Sequence, residues 1–230
     1  MRFKVIAMVI ALSAVLISAR VAAAHTPIFI EREITSPDTA WPVGDYAISW
    51  AFYGRVTPAG APQYFAIDGR AGERLYATME VPEIAGLQEF RPSLALIGPG
   101  LPAFDAPPGV TLPAESGGVR VDDARSAPRA RFDEPFSRTS YYRGPVIDRP
   151  LSADGRYFVV VFDESAATGK YTLTIGTREV FGGGDPGWAR KLQAFFSDAG
   201  QDLPAQPTVQ PAAAPWWPRL PIWLPMWFKS

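Results

Sequence analysis

The chain contains no cysteine and only one histidine, His25. Without cysteine, disulfides, thiolate metal sites and thiol nucleophiles are excluded together, and stability has to come from a hydrophobic core. With one histidine, a serine triad would have to draw its base from His25, close to the start of the chain, and no multi-histidine metal site can be assembled. No glycine-rich phosphate loop precedes a helix, because Gly182-Gly183-Gly184 runs into Asp185, whose charge repels phosphate. Basic patches of the nucleic-acid-binding kind are missing as well. The adjacent carboxylates Asp122-Asp123, Asp133-Glu134 and Asp163-Glu164 point to opposite faces if they lie on strands. Each pair therefore reads as a solvated turn, not as an acid and base flanking a substrate.

What the chain does have is apolar residues and turns. Of its 230 residues, 47% are hydrophobic, 24 are proline and 20 are glycine, which describes one core threaded by short strands. Residues 1–24 read as a secretory signal. Arg2 and Lys4 precede an uncharged apolar run from Val5 to Ile17, and Ala22-Ala23-Ala24 offers the small residues of a cleavage site. The run is short for a membrane span, so export is expected and an uncleaved anchor is the competing reading. Removal of this segment takes three of the 22 basic residues and none of the 23 acids, leaving 19 against 23 and a net charge of −4.

Residues 25–44 read as a lead-in with an edge strand over Ile28-Phe29-Ile30. Large residues at Tyr46, Ile48, Trp50 and Phe52 alternate with small ones, the period of two that marks a strand. Gln63 to Ile67 and Leu75 to Val81 follow as further strands, and Ser93 to Ile97 is a continuous apolar run bounded by Pro92 and Gly98-Pro99. From about 98 to 142 repeated prolines break the pattern, leaving only Gly118–Val121 and Ala130–Phe132 strand-like. That stretch is either a binding surface or a loop packed by its own aromatics. Two β-rich runs then each open on glycine and tyrosine: Gly155-Arg156-Tyr157 continuing to Phe162, and Gly169-Lys170-Tyr171 continuing to Ile175. They read as a hairpin closing a sandwich. Burial is expected for Trp50, Phe65, Leu94, Leu96, Val159, Val161 and Leu173.

After Gly182-Gly183-Gly184, Asp185-Pro186 gives a helix start. Trp188, Leu192, Phe195 and Phe196 share one helical face that suits docking on the sandwich, and Gly200 ends the helix. Residues 201–215 have the Pro/Ala/Gln composition of a linker. The last segment carries Trp216, Trp217, Trp223 and Trp227 among four prolines that forbid a continuous helix. It is expected to meet a membrane surface, an envelope protein or the chain's own apolar surface.

Tyr64-Phe65-Ala66-Ile67 before Ala71-Gly72, Pro92-Ser93-Leu94-Ala95-Leu96 and the two Gly-x-Tyr runs together resemble the bacterial pre-peptidase C-terminal domain family over roughly residues 45–176. Arg91 stands where that family commonly has an acid, and the 98–142 insert exceeds a minimal member. The resemblance implies an exported, non-catalytic sandwich and names no ligand.

Two constellations are candidate sites. Cleavage after Ala24 would make His25 the first residue, and its amine and imidazole would suit Cu(II); an incidental terminal residue is the competing reading. Tyr141, Tyr142 and Arg143 would form an aromatic and cationic platform for a ligand, against core packing of the tyrosines. The expected architecture is therefore all-β: an antiparallel jelly-roll-like sandwich over 45–181, a short helix within 182–200, a linker over 201–215 and a Trp/Pro-rich tail over 216–230. The expected role is an exported binding or structural module, periplasmic or extracellular, with no cofactor, no nucleic acid and no catalytic residues. The alternative is a periplasmic copper-binding protein. Oligomeric state is left open.

Overall fold

A computed structural model describes residues 25–57, 60–122, 128–134, 138–165, 167–180 and 184–197. The signal-like segment, the linker and the four tail tryptophans lie outside these residues. Among the described residues eleven strands form two packed sheets. They are β1 (Thr26–Phe29), β2 (Trp41–Pro42), β3 (Trp50–Val56), β4 (Gln63–Gly69), β5 (Arg74–Pro82) and β6 (Ser93–Gly98). There follow β7 (Gly117–Val121), β8 (Arg131–Glu134), β9 (Thr139–Pro150), β10 (Gly155–Phe162) and β11 (Gly169–Ile175), then one helix, α1 (Trp188–Ser197). One sheet runs β1-β3-β11-β5-β9-β8 and the other β2-β4-β10-β6-β7. The protein is an all-β sandwich with a short C-terminal helix.

The alternating apolar residues meet between the sheets. Phe52, Leu75, Met79, Leu173 and Ile175 from the first sheet pack against Phe65, Ile67, Leu94, Leu96, Val159 and Val161 from the second. Outward residues are buried too. Tyr64, Ala95, Ile97, Phe158, Val160 and Phe162, on the back of the second sheet, lie beneath Phe104, Ala106, Val110 and Leu112 of the loop after β6. The Thr111 amide donates to the Tyr64 hydroxyl at 2.6 Å. Of the two readings of the insert, the packed loop therefore holds for its first half. Covered on both sides, β6 and β10 become continuous apolar runs, as in a sheet enclosed between layers.

The two glycine–tyrosine runs do not form a hairpin. β10 is central in the second sheet, between β4 and β6, and β11 is central in the first, between β3 and β5. The connection between them is an arch from one sheet to the other across the end of the sandwich. It is organised by Asp163, which is buried and accepts from the Ser165 amide at 2.8 Å. Asp163-Glu164 is thus not a solvated pair, and Glu164 receives both terminal nitrogens of Arg120 at 2.7 and 2.8 Å. A glycine turn announces that the chain reverses; it does not say which sheet the returning strand joins.

Each tyrosine of these runs is seated where glycine leaves room. A Cβ on Gly98 would meet the Tyr157 ring at 2.2 Å, and one on Gly54, cross-strand from Tyr171, would meet that ring at 2.5 Å. Tyr157 donates to the carbonyl of Pro99 or Ala153, 2.8 and 2.9 Å away, and accepts from the Ala153 amide at 2.9 Å. Tyr171 donates to Gln63 Oε1.

Four further expectations are corrected. The sandwich is not wholly antiparallel, since the lead-in supplies β1 parallel to β3 and β2 parallel to β4. β3 begins at Trp50 rather than Tyr46, because Asp45 folds the preceding residues into a turn by accepting the Ala47 amide on its side chain and the Ile48 amide on its carbonyl. Trp50 is half-buried and donates its indole N–H to the Asp45 carbonyl at 2.9 Å. β9, the longest strand, lies where the insert ends and was not anticipated. Gly144 and Pro145 bulge opposite Met79 and shift the face presented on either side, which hides its periodicity.

Val161 is fully buried between the sheets. Val161→Asp should place an unpaired charge in the core and cost about 4 kcal/mol or more, most of the stability of an ordinary domain. Far-UV circular dichroism and a denaturant titration check this; a cooperative transition at the wild-type midpoint would contradict the assignment.

Candidate functional site

The outer face of the first sheet carries polar residues beneath the helix. Direct register aligns Phe29 of β1 with Tyr53 of β3, Tyr53 with Thr172 of β11, Thr172 with Glu80 of β5, and Glu80 with Arg143 of β9. This row of side chains shares one face. Helix α1 covers it. Phe195 packs edge-on to Tyr53 at 5.2 Å and to Phe29 at 6.5 Å, Phe196 packs edge-on to Tyr141 at 5.4 Å, and Leu192 is buried. Lys170 Nζ donates to the Phe195 carbonyl at 2.6 Å, satisfying one of the acceptors left at a helix C-terminus. The helix starts at Trp188 rather than at Pro186. Asp185 does not cap it with its side chain, which instead accepts from the Phe29 amide at 3.1 Å and from Lys191 at 3.2 Å.

Beneath α1 a narrow cavity of about 30 Å³ is lined by His25, Tyr53, Glu80, Glu134, Tyr141 and Thr172, roofed by Trp188 and Leu192. That volume holds roughly two water molecules. Glu80 is its buried acid. Burial pushes its carboxyl up to about 7, Glu134 adds to the rise, and Arg143, 3.8 Å away, opposes it. Burial likewise raises the Tyr53 and Tyr141 phenols, whose hydroxyls bond to each other.

The structure brings His25 and Tyr141 to this cavity and separates Tyr142 from Tyr141 and Arg143. Tyr141 is only 3% exposed. Its neighbour Tyr142 turns to the opposite face, packing against the inter-sheet core with Arg129 over its ring at 4.8 Å. Arg143 lies over the Phe132 ring at 4.3 Å. Tyr142 is therefore lost to the expected platform, while Tyr141 and Arg143, two residues apart, stay on the outer face, the first buried under the helix and the second stacked on Phe132. His25 Nδ1 is 2.6 Å from Ser49 Oγ and 3.6 Å from Glu179 Oε1. Among the described residues no three His, Asp or Glu side chains are grouped to hold a metal ion.

A second, larger concavity of about 260 Å³ opens between the sheets, lined by Leu96, Val119, Val121, Val146, Ile147, Asp148 and Arg149. It follows from edge geometry. β8 pairs only with Thr139–Tyr142 of β9, so the far half of β9 is a sheet edge, and β7 is the edge of the other sheet. Neither Glu80 nor Arg149 was anticipated as a site residue. Glu80 alternates correctly for an outward position, and nothing local reveals that a helix more than a hundred residues later covers it. Among the described residues no helix is long and apolar enough to cross a membrane.

No family model matches the chain, and no curated protein matches it. A solved structure of PliG from Aeromonas hydrophila, a periplasmic inhibitor of g-type lysozyme, is similar over 67% of this chain and 100% of that one, with 13% identity and a TM-score of 0.35. The two folds superpose too loosely for that likeness to speak to function.

Because the folded state raises the Glu80 pKa to about 7 from an unfolded value near 4.5, its proton is bound more tightly when folded. Stability from this group is full below about pH 4.5, is lost as pH rises through 7, and amounts to about 3 kcal/mol. Glu80→Gln should remove that loss. Urea unfolding of both proteins at pH 4.5 and pH 8 checks it, the variant gaining on the wild type at the higher pH; an unchanged difference between them would contradict the assignment.

Proposed function

We propose that this chain is an exported, non-catalytic β-sandwich module that acts by binding at the cell envelope, as its resemblance to the pre-peptidase C-terminal family implies. The composition of its larger concavity supports this reading most directly. Aliphatic walls with a guanidinium at one side can hold a ligand by burial and charge, and they include no nucleophile with a base beside it. The polar cavity under the helix is too small for an organic substrate and serves the packing of the helix. Export follows from the leader-like residues 1–24, and envelope contact from the tail, where Trp216, Trp217, Trp223 and Trp227 have the headgroup preference of indole and no acidic residue follows Asp202.

Liposome co-sedimentation of the exported protein tests the envelope contact. Full-length protein should pellet with anionic vesicles and a form lacking 215–230 should stay soluble; equal recovery of both in the supernatant overturns it.

A second reading, a periplasmic copper-binding protein, is favoured by the Glu179 carboxylate beside His25, an oxygen donor next to the imidazole. It requires His25 at the mature terminus, which mass spectrometry of the exported protein determines. If His25 is first, Cu(II) affinity measured by competition should fall at least tenfold when one residue is added before it. A different first residue, or unchanged affinity, removes this reading.

A further inference from the structure

The cleft between β7 and the far half of β9 contains one residue out of keeping with its walls. Arg149 is cross-strand from Leu75, as Ile147 is from Ala77, and both of those partners point into the core. Directly opposed residues share a face, so Arg149 points between the sheets. There its Nε is buried and has no hydrogen-bond partner among the described residues. The nearest acid in sequence, Asp148, is on the other face of β9 and already holds Arg74 by two bonds of 2.5 Å. It is therefore no acceptor for Arg149 Nε. A buried donor on a permanent cation is costly to leave unpaired, and a carboxylate is its best-matched acceptor.

Apart from Asp148, whose carboxylate is neutralised by Arg74, the rest of the site is apolar. Leu96, Val119 and Val121 form one wall and Ile147 the other, with Val146, 44% exposed, at the rim. The volume is about 260 Å³. A space of that size has room for a linear aliphatic chain.

We propose that this cleft binds a linear alkyl carboxylate, its chain between β7 and β9 and its carboxylate on Arg149. The assignment rests on the binding-module reading and gives it a ligand class. The carboxylate supplies the acceptor that Nε lacks, and the chain covers aliphatic surface that the open sheet edges leave to solvent.

The test is an amide-resolved NMR titration of the exported protein with octanoate and, separately, 1-octanol. Octanoate should shift the amides of Val119, Val121 and Ile147 saturably and bind 10- to 100-fold more tightly than octanol, the worth of one hydrogen bond to a charged group. Arg149→Gln should bring octanoate down to the octanol level, and Val121→Trp, which fills the cleft, should abolish both. Shifts confined to other regions, equal affinities for the two ligands, or undiminished octanoate binding by Arg149→Gln would overturn the proposal. If Arg149→Gln does not fold, the octanoate-to-octanol ratio on the unaltered protein decides it. Failure of octanoate in a protein that still sediments with vesicles rejects this ligand alone, whereas loss of vesicle binding bears on the envelope reading.

Discussion

The constraint on which the sandwich depends is the seating of two buried tyrosines over glycines of neighbouring strands. Tyr157 and Tyr171 occupy the central strands of the two sheets, and both are fully buried. A ring of that size fits between layers about 10 Å apart only where the adjacent strand gives up its side chain, as Gly98 and Gly54 do. The hydroxyls then need partners, and these tie together distant pieces of chain. Tyr157 joins the turn before β10 to the end of β6, and Tyr171 reaches Gln63 at the start of β4 in the other sheet. Placing these two side chains sets which strands are neighbours and how the sheets stand relative to each other.

Around this centre the protein is four layers deep. The loop after β6 closes the back of the second sheet and α1 closes the back of the first. The two covers differ in chemistry. The loop lies on aliphatic and aromatic residues and behaves as an extension of the core. The helix lies on tyrosines, threonines, a lysine and Glu80, so its docking is linked to the proton on that carboxyl. The sandwich opens along the side where β7 and β9 end their sheets, and that is where the apolar cleft lies.

Much of this was legible from the residues. Strands β4, β5, β6, β10 and β11 follow from alternation or from apolar runs between turn residues, and α1 from the spacing of Leu192, Phe195 and Phe196. Sheet membership was not, because periodicity is local and pairing is not: the arch between β10 and β11 has the same signature as a hairpin. β9 was hidden by Pro145, Pro150 and a bulge that changes the face presented midway along it. The sites were less legible than the fold. Tyr141, Tyr142 and Arg143 attracted attention by adjacency, which in a strand is what turns Tyr142 away from the other two. Glu80 and Arg149 acquire their character from segments far away in sequence.

The position of β11 in the first sheet bears on how the chain is made. β3 and β5 do not touch each other in that sheet; each is hydrogen-bonded to β11, which ends at Ile175. A growing chain that has not yet reached residue 169 has no middle for this sheet, and its β1, β3 and β5 cannot assemble there. Folding is therefore postponed until nearly the whole sandwich has been synthesised, and then proceeds through pairings of large sequence separation, which are slow to form. For that interval the chain leaves exposed the apolar strands that β11 will later join, which is when it is most open to aggregation.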